Sequence, residues 1–356
     1  MRPCTRANTL LTPPPQVVRE GTSAAAGADR VGSPRLQCGV SRSAADRRSS
    51  PSPRETSATD PATDAPLVRI GCPVWACEHW RGNFYTRKAR RTDFLKQYSV
   101  VFDTVEGNST FYALPTAETV ARWASETAEG FRFSLKVPRA ITHDHRLRNA
   151  AGPSRAFLDL LDVLAQHDRL GQTFLQLPPD FDASEFEALR AYLKRWPREI
   201  PLAVEPRHRD WFAGDDAEQA FDHLLAARGC ERVLLDSRAL YANPPETEHE
   251  RVSQTRKPRV PRRTTVIDRQ PFVRFIGRDD VSQAEPWIEE WAEVTAGWIA
   301  RGYQPTIFCH APDDTFAPAF CRRFHAALQS LVPKLPDLPA FPAETEEVPA
   351  EQLSLF

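Results

Sequence analysis

Residues Thr173–Glu205 read TFLQLPPDFDASEFEALRAYLKRWPREIPLAVE: a short apolar run, a Pro-Pro turn, an amphipathic stretch and a second short apolar run. The outer runs have strand length, and apolar residues recur over Ala183–Trp196 with a helical period. Two parallel strands need a crossover of this kind, usually a helix, so the segment reads as one strand–helix–strand unit. The same rhythm continues in both directions. Upstream lie Val68–Cys72, Asp103–Glu106 and Phe131–Val137, and downstream lie Val233–Asp236, Phe272–Ile276 and Thr306–His310. Thr116–Ser125, Ala156–His167, Ala217–Ala227, Pro286–Ala300 and Ala317–Leu331 carry helical stripes between them. Eight strands with intervening helices predict an α/β fold of TIM type, a βα barrel of eight parallel strands. An open doubly wound sheet is the second reading. One unit breaks the rhythm. Between Asp236 and Phe272 the Pro-rich basic stretch NPPETEHERVSQTRKPRVPRR (Asn243–Arg263) shows no helical stripe, so helix six is expected to be replaced by a long loop acting as a lid or binding loop.

Composition sets the domain limits. All 34 Phe, Trp and Tyr residues follow Pro66, whereas residues 1–66 hold nine Pro and nine Arg among Ser, Thr and Ala, with nothing large to bury. Residues 1–66 are therefore expected to be a disordered extension, 67–338 the barrel domain, and 339–356 a flexible tail. Two readings of the extension compete: an Arg- and Ser-rich transit-like leader, or translated upstream sequence. The second is preferred, and since Met1 is the sole Met, a shorter product would start at a non-Met codon near Leu67 or Val68.

A net charge of −1 gives no bulk electrostatic case for a nucleic-acid or membrane surface. No apolar run approaches the roughly 18 residues needed to cross a bilayer, and no charged-then-apolar secretory signal opens the chain. A cytoplasmic protein is expected. Seven irregularly spaced Cys fit reduced thiols and no disulfide-linked partner.

In a βα barrel the chemistry gathers at the carboxyl ends of the strands. Here those ends carry Cys72 and Trp75, then Glu106 and Asn108, Lys136, Gln176, Glu205 with Arg207 and His208, Asp236, Arg274, and His310 followed by Asp313 and Asp314. A polar strand end usually meets water or caps the next helix. Lys136 inside FSLKVP and Glu205 inside LAVEP are different, because they interrupt runs that should be buried, and a buried charge is costly unless paired. Glu106, Lys136, Glu205 and Asp236 are the candidate catalytic groups. Trp75, Asn108, Tyr112, His143, Gln176, Arg207, His208 and Arg274 are the candidate substrate-binding groups. Two chemistries fit: Glu106 and Glu205 as paired carboxylates for proton transfer, with Arg207 or Arg274 on an anionic group, or Lys136 as a Schiff-base nucleophile. Glu205, Asp236, His208 and His310 could offer metal ligands, but no HxH or HExxH spacing accompanies them, and the metal-free reading ranks higher. No cofactor is identified by any motif. Aromatic residues crowd the same end, among them Trp80, Phe84, Tyr85, Phe111, Trp211 and Phe212. They read first as a barrel seal and second as a stacking platform for a sugar or base.

The stretches IGCPVWACEHWRGNFY, TVEGNSTFYALP, FRFSLKVPRAITH, FLQLPPDF, AVEPRHRDWF, LLDSR, KPRVP, PFVRFIG and FCHAPDD resemble the YecE-like family over nearly all of Val68–Leu338. The resemblance implies a TIM-type fold with no established reaction. It points to Glu106, Asn108, Lys136, His143, Gln176, Glu205, Arg207, His208, Asp236 and Arg274. Many relatives carry an HG pair after strand seven and an Asn pair after strand eight, where this chain has Ile276–Gly277 and Cys309–His310. Those swaps argue against a role for strand eight in binding and for a subgroup with a different ligand.

The chain ends in QLSLF (Gln352–Phe356) after a Pro- and Glu-rich stretch. This resembles the motif that binds the bacterial sliding clamp, with Gln352 for a polar pocket and Leu355 and Phe356 as apolar anchors. The leading expectation is an enzyme doing acid/base chemistry on a small polar or phosphorylated, nucleic-acid-derived substrate. The rival is a non-catalytic module brought to DNA by its tail.

Overall fold

Every predicted apolar run forms a strand segment in the computed structural model, which describes residues 66–346. In chain order these are β1 (Arg69–Gly71), β2 (Thr104–Gly107), β3 (Arg132–Leu135), β4 (Thr173–Gln176), β5 (Leu202–Glu205), β6 (Glu231–Asp236), β7 (Phe272–Ile276) and β8 (Thr306–His310). They do not make one continuous ladder. Six form a parallel sheet in the order β1-β8-β7-β6-β5-β4, while β2 and β3 pair in a parallel sheet of their own. The expectation of a single eight-stranded barrel is met only in part, by an α/β fold with a curled six-stranded parallel sheet and a separate two-stranded one.

Glycine marks both places where the sheets meet. A Cβ on Gly71, in β1, would fall 2.2 Å from the Thr104 carbonyl oxygen in β2. A Cβ on Gly171, just before β4, would fall 2.9 Å from the Phe133 carbonyl oxygen in β3. Only glycine lets the backbones come this close. Few backbone bonds cross the seams: Glu106 N–H donates to Cys72 O (3.0 Å) at one, and Phe133 N–H to Arg169 O (2.8 Å), Gly171 N–H to Phe133 O (2.9 Å) and Val137 N–H to Phe174 O (2.9 Å) at the other.

The strand period of two then builds the inside of the curl in layers. Phe174, Ala203, Val233, Phe272 and Phe308, from five neighbouring strands, form a buried apolar cluster separate from the main core. Two residues further along the same strands stand Gln176, Glu205, Leu235, Arg274 and His310. An apolar floor from these five strands therefore lies beneath a layer that is polar at every position but Leu235.

Helix six needs correction. In place of an unstructured loop, Glu248–Arg256 is helical, preceded by a short turn of helix at Arg238–Tyr241. Thr247 caps it by accepting from Glu250 N–H, and the buried Glu250 carboxylate pairs with the fully buried Arg278 at 2.7 Å. Such a helix is held by a cap and an ion pair, so its sequence shows no apolar stripe. Packing also runs past Leu338: Phe341 is buried against Phe84, with ring centroids 4.8 Å apart.

Among the described residues no helix is long and apolar enough to cross a membrane, and Cys72, Cys77, Cys230, Cys309 and Cys321 are free thiols.

Candidate functional site

Arg274 organises the polar layer. From β7 its Nε and Nη2 donate to the two oxygens of Glu106 at 2.7 and 2.8 Å, and its Nη1 donates to Glu205 Oε2 at 2.5 Å. Both carboxylates are fully buried. Asn108 Nδ2 adds a bond to Glu106 Oε1 (2.7 Å), and His310 Nε2 lies 3.1 Å from Glu106 Oε2. Burial alone would raise both carboxyls, but Arg274 more than offsets it and holds Glu106 well below the usual range and Glu205 below it. Burial pushes the His310 ring down to about 4, helped by Arg274, so at neutral pH it meets Glu106 as a neutral N–H donor.

A second chain of bonds runs from Glu205. Gln176 Nε2 donates to Glu205 Oε1 (2.8 Å), which fixes its amide so that Oε1 accepts from Lys136 Nζ at 2.9 Å. The amine otherwise rests over the Phe111 ring, 4.0 Å from its centroid. Burial, reinforced by Arg274, brings Lys136 down to about 7 despite the two carboxylates.

Above this layer opens a cavity of about 630 Å³, lined by Asn108, Tyr112, Lys136, His143, Gln176, Glu205, Arg207 and Arg274 among others. His143 sits on a π-helical turn, Ala140–Asp144, a local widening often found at functional sites. The chain leaves that turn through Arg146, Leu147 and Asn149 at positive φ, a conformation non-glycine residues adopt only when their surroundings impose it. Burial, with Lys136 next, lowers His143 to about 4. Tyr112 stands at the rim, 80% exposed.

Three candidates fall outside this group. Asp236 follows Leu235 by one residue, so strand alternation points it away from the cavity and toward the helix Glu285–Ala300, where it accepts from Trp291 Nε1 (2.8 Å) and pairs with Arg238 (2.8 Å). His208 caps the turn after β5 by accepting from Asp210 N–H. Trp75 packs edge-on against Trp123, centroids 5.1 Å apart, on the outer side of β3. Glu205, Asp236, His208 and His310 are accordingly not gathered, and no group of three or more His, Cys, Asp or Glu among the described residues is placed to hold a metal. Gln352, Leu355 and Phe356 lie outside the described residues.

Two residues join the site from outside the expected set. His310 joins strand eight to the Glu106 network, against the expectation drawn from its unusual strand end, and its place two residues after Phe308 was the available signal. Lys257 reaches the cavity from the segment after the helix Glu248–Arg256, and no periodic pattern marks it.

The family model for "Protein of unknown function DUF72" matches residues 69–345. The chain belongs to the DUF72 family. Its relatives include the UPF0759 protein YecE of Escherichia coli K12, 36% identical over 78% of this chain and 99% of that one, and the UPF0759 protein YunF of Bacillus subtilis, 27% identical over 64% and 77%. Crystal structures of DUF72 proteins from Thermotoga maritima and Enterococcus faecalis share the fold. Their TM-scores are both 0.56, at 20% and 16% identity, covering 75% and 77% of this chain and 99% and 98% of theirs. The DUF72 fold thus spans the described core, from β1 to the packed segment after β8.

Proposed function

We propose that this protein is an enzyme doing acid/base chemistry on a small polar or phosphorylated substrate at the carboxyl ends of its strands, with Lys136 as the group that carries the proton. The two ladders act as one closed barrel of eight strands, since only closure brings Glu106 and Lys136 beside Glu205 and Arg274. The observation that carries the reading is the placement of Lys136: a buried amine on the cavity wall whose one hydrogen-bond acceptor among the described residues is Gln176, where burial pulls its pKa down to about 7. A base works best when its pKa lies near the working pH. Arg274 keeps Glu106 and Glu205 ionised, so their part is to set the field around Lys136 and position its neighbours rather than to exchange protons.

The test is substrate-independent. Competitive labelling with an amine-selective reagent across pH should give Lys136 a midpoint near 7, against about 10.4 for ordinary lysines. A midpoint near 10 would overturn the reading. Borohydride treatment with a panel of phosphorylated aldehydes and ketones, followed by peptide mapping, should leave Lys136 unmodified while exposed lysines are alkylated, because a reduced adduct on Lys136 would assign it to Schiff-base chemistry instead.

A further inference from the structure

The cavity holds more positive charge than its carboxylates balance. Lys136, Arg139, Arg207, Arg256, Lys257 and Arg274 line it, against Glu205 and Asp314 with Glu106 behind Arg274, an excess of three with Lys136 protonated and of two with it deprotonated, before any histidine is counted. These cations are not equivalent. Arg274 commits one donor from each of its three nitrogens, and its charge, to Glu106 and Glu205. Arg139 is exposed and engages Asp144, and Arg256 is exposed at the rim. Lys136 is occupied with Gln176.

Arg207 and Lys257 remain. Arg207 is largely buried, gives Nη2 to the Arg256 carbonyl (3.0 Å), and keeps a buried Nε with no hydrogen-bond partner, its distance to Glu205 being 3.8 Å. The Lys257 side chain, half-buried on the cavity wall, forms no hydrogen bond or ion pair among the described residues. Two cations with spare donors, arriving from separate parts of the chain, face one polar cavity, where the Arg207 charge opposes that of Lys257 and a bound anion would relieve the repulsion. The segment bearing Lys257 is fastened there: Ser237 Oγ donates to Pro258 O (2.8 Å), and Tyr241 OH donates to the carbonyls of Gln254 and Lys257.

We propose that Arg207 and Lys257 together bind the phosphate of a phosphate monoester, which makes a small phosphorylated metabolite the substrate class of this cavity. The proposal rests on reading the mouth as a substrate site. A doubly charged monoester uses both cations, whereas a backbone diester carries a single charge. A cavity of about 630 Å³ has the size of a small-molecule site.

Inorganic phosphate titrated calorimetrically into the full chain near neutral pH should show one saturable site. Removing one charge-assisted contact should weaken it about tenfold in Lys257→Met and in Arg207→Gln, while Lys257→Arg, which keeps the charge, should stay close to wild type. Melting curves identify any variant that fails to fold, and the other variant then carries the test. No saturable heat with the wild-type chain, or equal affinity in the folded variants, overturns the proposal. So does an oligonucleotide bearing only internal diesters that displaces phosphate at equal phosphate concentration. Phosphate binding fails or succeeds independently of the Lys136 labelling midpoint, so the two readings can be rejected separately.

Discussion

Lys136 is the residue at which folding and chemistry pull against each other. Its amine titrates at about 10.5 in the unfolded chain and about 7 in the fold, so folding opposes its charge. Between those values the unfolded chain binds more protons, and stability contributed by this position rises with pH. Below about pH 7 both states are charged and the full penalty applies. That penalty is on the order of 2–4 kcal/mol after allowance for relaxation. Lys136→Met should therefore stabilise the protein at pH 6, and urea denaturation should show the gain shrinking as pH rises toward 10. A loss of stability at pH 6 would mean that Lys136 is instead a structural counter-ion for Glu205. Arg274 shows the opposite balance: its three bonds to two buried carboxylates make it the counter-charge the layer depends on.

At the scale of elements, the helix Glu248–Arg256 is an attachment more than a core piece. Glu250 is its only buried residue, and Thr247 ties to Asp279 at its start. Glu250→Ala would leave the buried Arg278 with the carbonyls of Asn243 and Pro244 and the more distant, exposed Glu246, a loss of about 3 kcal/mol. Hydrogen exchange should then accelerate through Glu248–Lys257 while β4 and β5 keep their protection, and phosphate affinity should fall with it. Uniform exchange across the chain would show that the helix belongs to the global folding unit. This element also shows where sequence reading stops. Strands announce themselves because each must bury an apolar run, and the step of two from Phe174 to Gln176 and from Ala203 to Glu205 makes the inner polar layer legible. The same step excludes Asp236, three residues after Val233, and admits His310, two after Phe308. EHERVSQTR carries no comparable mark, because a cap and a buried ion pair leave no period in the sequence, and Lys257 is placed by that helix.

For the molecule as a whole, the six-stranded and two-stranded sheets must meet at two seams before Glu106 and Lys136 can stand beside Glu205 and Arg274. The seams are narrow and rest on backbone approaches that no side chain can share. At Gly71 the obstacle to any Cβ is the Thr104 carbonyl, 2.2 Å away, which is backbone and cannot rotate aside as a side-chain tip would. Gly71→Ala must therefore push β1 from β2, stretching the Glu106 N–H to Cys72 O bond that holds Glu106 in register with the network. The expected cost exceeds about 3 kcal/mol, the range of overpacking forced into a rigid site. Gly152→Ala is the control. It lies in the helix Ala151–Gln166 with nothing within 4 Å of a new Cβ, and should be neutral or stabilise by up to about 1 kcal/mol. Urea unfolding followed by tryptophan fluorescence compares the two directly, and the Lys136 labelling midpoint adds a local readout. If the seam is what assembles the polar layer, Gly71→Ala should lose stability and also let the Lys136 midpoint drift up toward that of an exposed lysine. A destabilised variant with its midpoint still near 7 would show that the layer survives an opened seam, and that closure of the two sheets is dispensable to the site.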